Sequence, residues 1–94
     1  MKYKEVVDFR ADAVRALCIR HNWYTAGSSE AYQRMLDKVD EEQFSLELLE
    51  WVAEDIIEHT PTDHDDFEEY EDAMPLVLFE LNRHCCYRFY RKED

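Results

Sequence analysis

Ninety-four residues with 46% apolar and 14% aromatic content suffice for one compact core and argue against two domains. A net charge of −12, from 23 acidic and 11 basic side chains, argues against ordinary DNA or RNA binding because phosphates are repelled. One glycine and two prolines exclude collagen-like and low-complexity chains, and also a sandwich needing a turn about every 8 to 12 residues.

From Lys4 to about Asn22, the residues Val6, Val7, Phe9, Ala13, Val14, Leu17 and Cys18 gather on one side at about 100° per residue. This predicts an amphipathic first helix. Asn22 is suited to end it, and Trp23 and Tyr24 then cover the core where the chain reverses at Gly27. Ser28 and Ser29 offer a cap for a second helix beginning near Glu30, whose inner face is Ala31, Tyr32, Met35, Leu36 and Val39. The polar run Asp40 to Gln43 reads as a turn. Ser45 then caps a third helix reaching about His59, with Leu48, Leu49, Val52, Ala53 and Ile56 as its buried stripe.

Thr60, Pro61 and Thr62 stop that helix, since proline lacks a backbone donor and pushes its predecessor out of helical geometry. A fourth helix can start within Asp63 to Asp72, capped by Thr62 or Asp63, with Phe67, Tyr70 and Met74 on its sparse apolar side. Pro75 falls at a helix start or kink. From Leu76 to Tyr90 the chain is apolar almost all round, which predicts a central helix; a strand pair turning at Asn82 and Arg83 competes, but that turn lacks glycine. The expected fold is one all-α domain over residues 1–94, a bundle of three to four helices with the apolar C-terminal helix at its centre.

Three cysteines, with Cys85 and Cys86 adjacent, make a disulfide framework improbable and fit reduced thiols in a cytoplasmic protein. No apolar run reaches the roughly 18 residues of a membrane span, and Met1 to Arg10 lacks a signal-peptide apolar segment. A single glycine rules out both the G-x-S-x-G elbow of hydrolases and a phosphate-cradling loop. Asp63, His64, Asp65 and Asp66 resemble the start of a calcium loop, but the mid-loop glycine is missing, and an acidic helix cap is the simpler reading. Cys18, His21, His84 and Cys85 supply zinc-ligand types at no established finger or ribbon spacing, and buried cysteine mostly behaves as a small apolar residue. Neither catalysis nor a cofactor or metal is expected.

The charge is regional. Residues 30–72 hold seventeen acids against Arg34 and Lys38, net −15, between two nearly neutral ends. Their apolar residues recur at helical spacing, so this stretch is a folded acidic region and not a disordered tail. On the third helix Glu47, Glu50, Glu54, Asp55 and Glu58 project away from the apolar stripe, with Trp51 among them. Carboxylates three or four apart stand about 5 to 6 Å from one another and slightly destabilise an isolated helix. These six residues form the candidate binding site: a face for a basic protein surface, in its sharp form a nucleic-acid mimic, with Trp51 as a desolvating anchor. The bland alternative is a solvated face whose tryptophan packs on a neighbouring helix.

The stretch Leu17 to Leu36, LCIRHNWYTAGSSEAYQRML, resembles a segment of small acidic proteins encoded on mobile elements and phages of gut Firmicutes. Asn22, Trp23, Tyr24, Thr25, Gly27, Glu30 and Tyr32 carry that likeness, supported by Ala53, Glu54, Asp55, Ile56, Glu58 and His59 and by the Cys85 and Cys86 end. No activity attaches to that group, so no residue takes a role from it. The resemblance implies an accessory product of mobile DNA, a setting in which small acidic proteins include anti-CRISPR and other DNA-mimic inhibitors. The expected function is therefore non-catalytic binding of a basic partner, such as a nucleic-acid-binding protein, without direct contact to nucleic acid or membrane. The runner-up is an assembly module in which Trp23, Trp51, Tyr87 or Phe89 makes a homo- or hetero-oligomer contact.

Overall fold

The computed structural model describes residues 2–24, 29–61 and 70–93. In chain order they form β1 (Lys2–Phe9), α1 (Ala11–His21), α2 (Ser29–Glu41), α3 (Leu46–Glu58), α4 (Tyr70–Cys85) and β2 (Cys86–Glu93). The two strands pair antiparallel, from Lys2 opposite Glu93 to Phe9 opposite Cys86. The expected all-α bundle is therefore corrected to four helices with a two-stranded ribbon joining the two ends of the described chain.

The error lies at both ends of the chain. Residues 4–9 were expected as the first turns of α1, and residues 86–90 as the end of the central helix; both stretches are strand. Val6, Val7 and Phe9, with Tyr87, Phe89 and Tyr90, are β-branched and aromatic residues that favour a pleated surface over a helix. The competing hairpin is also absent, since Asn82 and Arg83 lie inside α4 and β2 takes the N-terminal strand as its partner.

Between the strands the end of α1 and the bounds of α2 and α3 lie close to those expected, while the expected fourth helix and the helix from Leu76 are one element, α4. Asn22 caps α1 in the left-handed conformation, φ 56° and ψ 34°, and its backbone N–H is turned to the Cys18 and Ile19 carbonyls. Asparagine tolerates this geometry better than most residues. Ser45 is the N-cap of α3, its Oγ accepting from the Leu48 N–H at 3.0 Å, and the helix closes at His59. Pro75 lies inside α4. The expected turn at Gly27, the Ser28 cap, the Thr62 or Asp63 cap and the acidic run from Asp63 lie outside the described residues.

The buried core of the described residues is one cluster. Val14, Met35, Val39, Val52, Ile56, Val77 and Leu81 are buried, and α4 packs against both α1 and α3 through one side only, with Phe79 and residues 82–84 exposed, so it is not the all-round apolar central helix expected over 76–90. Each such side chain contributes about 1.5 to 3 kcal/mol by leaving water. From the ribbon only Phe9 joins the buried core, while residues 2–5 and 87–92 are exposed. No described helix is long and apolar enough to cross a membrane.

Candidate protein-binding face

Helices α2 and α3 carry nine acids against Arg34 and Lys38, so most of the net negative charge sits on two adjoining elements. Leu48, Leu49, Val52, Ala53 and Ile56 turn one side of α3 into the core. The 3.6-residue repeat then puts Glu47, Glu50, Glu54 and Glu58 on the outer side, where all four are exposed. Their spacing of three or four residues lines the carboxylates up as one row.

Two of the six candidate residues stand apart from that row. Trp51 is half-buried against the core, and the Lys38 ammonium lies 4.7 Å from its ring centroid. Lys38 also pairs with Glu42 at 2.6 Å, so the indole is covered by a cation held in place by α2. It is a packed side chain and not a projecting anchor. Asp55 is turned inward. It accepts a hydrogen bond from the Tyr24 hydroxyl, and the His59 Nδ1 lies 3.5 Å from its Oδ1.

Around Asp55 a polar network closes the end of α3. His59 Nδ1 lies 2.9 Å from the Asp55 carbonyl oxygen, and its ring stacks on Tyr24 with centroids 5.8 Å apart. The buried Thr60 hydroxyl donates to the Ile56 carbonyl at 2.6 Å and accepts from the Tyr24 N–H at 3.2 Å. Burial, and then the hydrogen bond to the Asp55 carboxylate, raise the Tyr24 hydroxyl far above its ordinary range. It stays a neutral donor. This network was not foreseen; the pair Asp55 and His59 at i, i+4 beside Thr60 is the signal that was in the sequence.

A groove of about 610 Å³ meets the carboxylate row at Glu50. Its apolar walls include Val7 from β1, Phe44 and Leu46 at the start of α3, and Leu78 and Phe79 from α4, with Glu50 of the row on its rim. Leu46 is 70% and Phe79 57% exposed, so large apolar side chains stand open here beside a carboxylate. On the ribbon side Arg88 donates to Asn82 at 2.5 Å and lies 3.9 Å from Glu5.

Other chemistry is thinly represented. Among the described residues, Asp55, Glu58 and His59 are the group of metal-ligand types whose atoms come within 4.8 Å of one another. Two of these are already engaged in the network at the end of α3. Cys18, His21, His84 and Cys85 do not form such a group; instead the Nε2 atoms of His21 and His84 lie 3.7 and 3.2 Å from Glu80 Oε2 where α1 meets α4. Burial pushes the Cys18 and Cys85 thiols up to about 12, which leaves them protonated and poorly nucleophilic at neutral pH.

Compared with known proteins, the chain matches no family model, no curated protein and no solved structure.

Proposed function

We propose that the protein is a non-catalytic binding protein whose acidic α3 face engages a basic protein surface, of the kind that nucleic-acid-binding proteins present. The observation that carries this reading is the row of exposed Glu47, Glu50, Glu54 and Glu58, whose Glu50 also lines a partly apolar groove that holds exposed Leu46 and Phe79. Like charges at i, i+4 cost a helix a few tenths of a kcal/mol per pair, so an unbroken row is a local expense that a basic partner offsets. The groove supplies the desolvated centre that an exposed ion-pair array lacks, since such pairs alone contribute little.

On this reading lysine or arginine side chains of the partner face the carboxylates, and one or two apolar side chains enter between Leu46 and Phe79. Occupation of a nucleic-acid groove by these carboxylates makes the protein a competitive inhibitor of nucleic-acid binding. The test is capture from a bacterial lysate at low and high salt, followed by competition of the captured protein with nucleic acid. Salt-sensitive capture of a basic protein that nucleic acid displaces supports the proposal; capture insensitive to both overturns it.

A further inference from the structure

The last turn of α3 runs against the usual rule for a helix end. It holds the carboxylates Asp55 and Glu58 and no basic residue, where the negative end of the helix dipole favours cations. His59 follows at once as the C-cap. One ligand-type atom from each of Asp55, Glu58 and His59 comes within 4.8 Å of the other two, because residues at i, i+3 and i+4 share one flank of a helix. Donors to a zinc ion stand about 2.0 to 2.2 Å from it, so small side-chain rotations bring all three onto one ion.

Tyr24 holds two of the three in place. Its hydroxyl donates to Asp55 Oδ2, while the other oxygen, Oδ1, lies 3.5 Å from His59 Nδ1. Two donors at a tetrahedral angle on one zinc ion stand about 3.4 Å apart, so this pair already has the separation of two ligands of one ion. The Tyr24 ring stacks on the imidazole with planes 10° apart, which fixes the orientation of the ring. Groups behind the ligands of a metal site act in these same two ways, by hydrogen-bonding a ligating carboxylate and by orienting an imidazole. Tyr24 takes up this position at φ 57°, a strained conformation of the kind that collects at ligand-binding places.

The donor set selects the ion. One imidazole beside two carboxylates suits zinc and similar transition ions, whereas magnesium takes oxygen ligands and gives up its water reluctantly. A carbonyl oxygen only accepts, so the 2.9 Å contact with the Asp55 carbonyl puts the ring proton on His59 Nδ1. An ion takes the place of that proton, which passes to Nε2, and the ring stays neutral. The geometry points to a zinc-binding site made by Asp55, Glu58 and His59, with Tyr24 positioning the first and last of them and water completing the coordination. The site stands at one end of the α3 carboxylate row and does not depend on that row engaging a partner.

Calorimetric titration of the full chain with zinc chloride, in buffer holding about 5 mM magnesium, should give one equivalent bound with a Kd on the order of 10 µM. Glu58→Gln and His59→Gln each remove a ligand and should weaken binding about tenfold or more, and Tyr24→Phe, which keeps the ring stack, should weaken it about tenfold. Glu47→Gln, in the first turn of the same helix, should bind zinc like wild type. Thermal melting checks the fold of each variant, and Glu58 is exposed, so Glu58→Gln carries the test even if His59→Gln is destabilised. No binding up to about 1 mM zinc, unchanged affinity in Glu58→Gln, or an equal loss in Glu47→Gln would each overturn the inference. Glu50 and Glu54 are left as they are, so zinc affinity is read separately from capture by the acidic face.

Discussion

The Tyr24 hydroxyl donates to the Asp55 carboxylate and so ties the segment that follows α1 to the last turn of α3. Tyr24 itself has φ 57°, a left-handed conformation that costs a bulky residue about 1 kcal/mol or more. The surrounding contacts with Thr60, His59 and Tyr32 hold it there. Tyr24→Phe keeps the ring contacts and removes only the donor, so it should lower unfolding free energy by about 1.5 to 3 kcal/mol in urea titration, as for a hydrogen bond to a charged group. An unchanged midpoint would mean that the bond contributes nothing.

Alkaline stability follows from the same burial. Tyr24, Cys18 and Cys85 all have folded-state values raised chiefly by burial, the two thiols to about 12. The unfolded chain therefore releases these protons first, and their contribution is complete below the ordinary thiol range and lost as pH rises from about 9 through 12. Urea midpoints should be level from pH 7 to 8.5 and fall steeply above about 9. Cys18→Ala should flatten part of that fall, and an identical slope in the variant would contradict it.

Thiol labelling separates the cysteines. Cys18 and Cys85 are buried, and Cys86, at the start of β2, is half-buried. In native protein an aromatic disulfide reagent should modify Cys86 first and the other two only at the rate of opening, while all three react at once in denaturant. Prompt labelling of Cys18 in the native state would contradict the placement of α1 against α4.

Ser45→Ala tests the start of α3. Loss of the side-chain acceptor for the Leu48 N–H should cost about 1 kcal/mol, with little change in the folded circular dichroism spectrum. A cost near zero would mean that the helix start is held by other contacts.

These helix ends were readable because their determinants are local. Asn22 and Ser45 act within one turn of themselves, and the apolar stripes of α2 and α3 repeat at the helical period. The ribbon was not readable, because Lys2 and Glu93 lie at opposite ends of the sequence and no turn joins them. Its residues are also exposed on both faces, so the alternation that marks a half-buried strand is missing. At the site, projection placed Glu47, Glu50, Glu54 and Glu58 correctly and failed for Trp51 and Asp55. Those two, at i and i+4, share the flank bordering the core, and their partners Lys38 and Tyr24 come from other segments.

Because Trp51 is packed, replacing it is a poor probe of binding. Trp51→Ala should lower stability by about 2 kcal/mol, below the cost of a fully buried tryptophan, whatever happens to the partner. Glu54→Lys should instead raise stability by a few tenths of a kcal/mol, since it converts two like-charge pairs, with Glu50 and Glu58, into opposite-charge pairs. A loss of stability in Glu54→Lys would contradict the exposed position of the row.

The most direct measurement is side-by-side capture from bacterial lysate by the wild-type protein and by the Glu50→Lys, Glu54→Lys double variant, with folding checked by thermal melting. The account predicts that wild type retains a basic protein at low salt and releases it at high salt, while the double variant melts no lower and retains none of it. Equal retention by the two proteins, or no basic protein retained by either, would contradict the assignment of the α3 carboxylate row as a binding face.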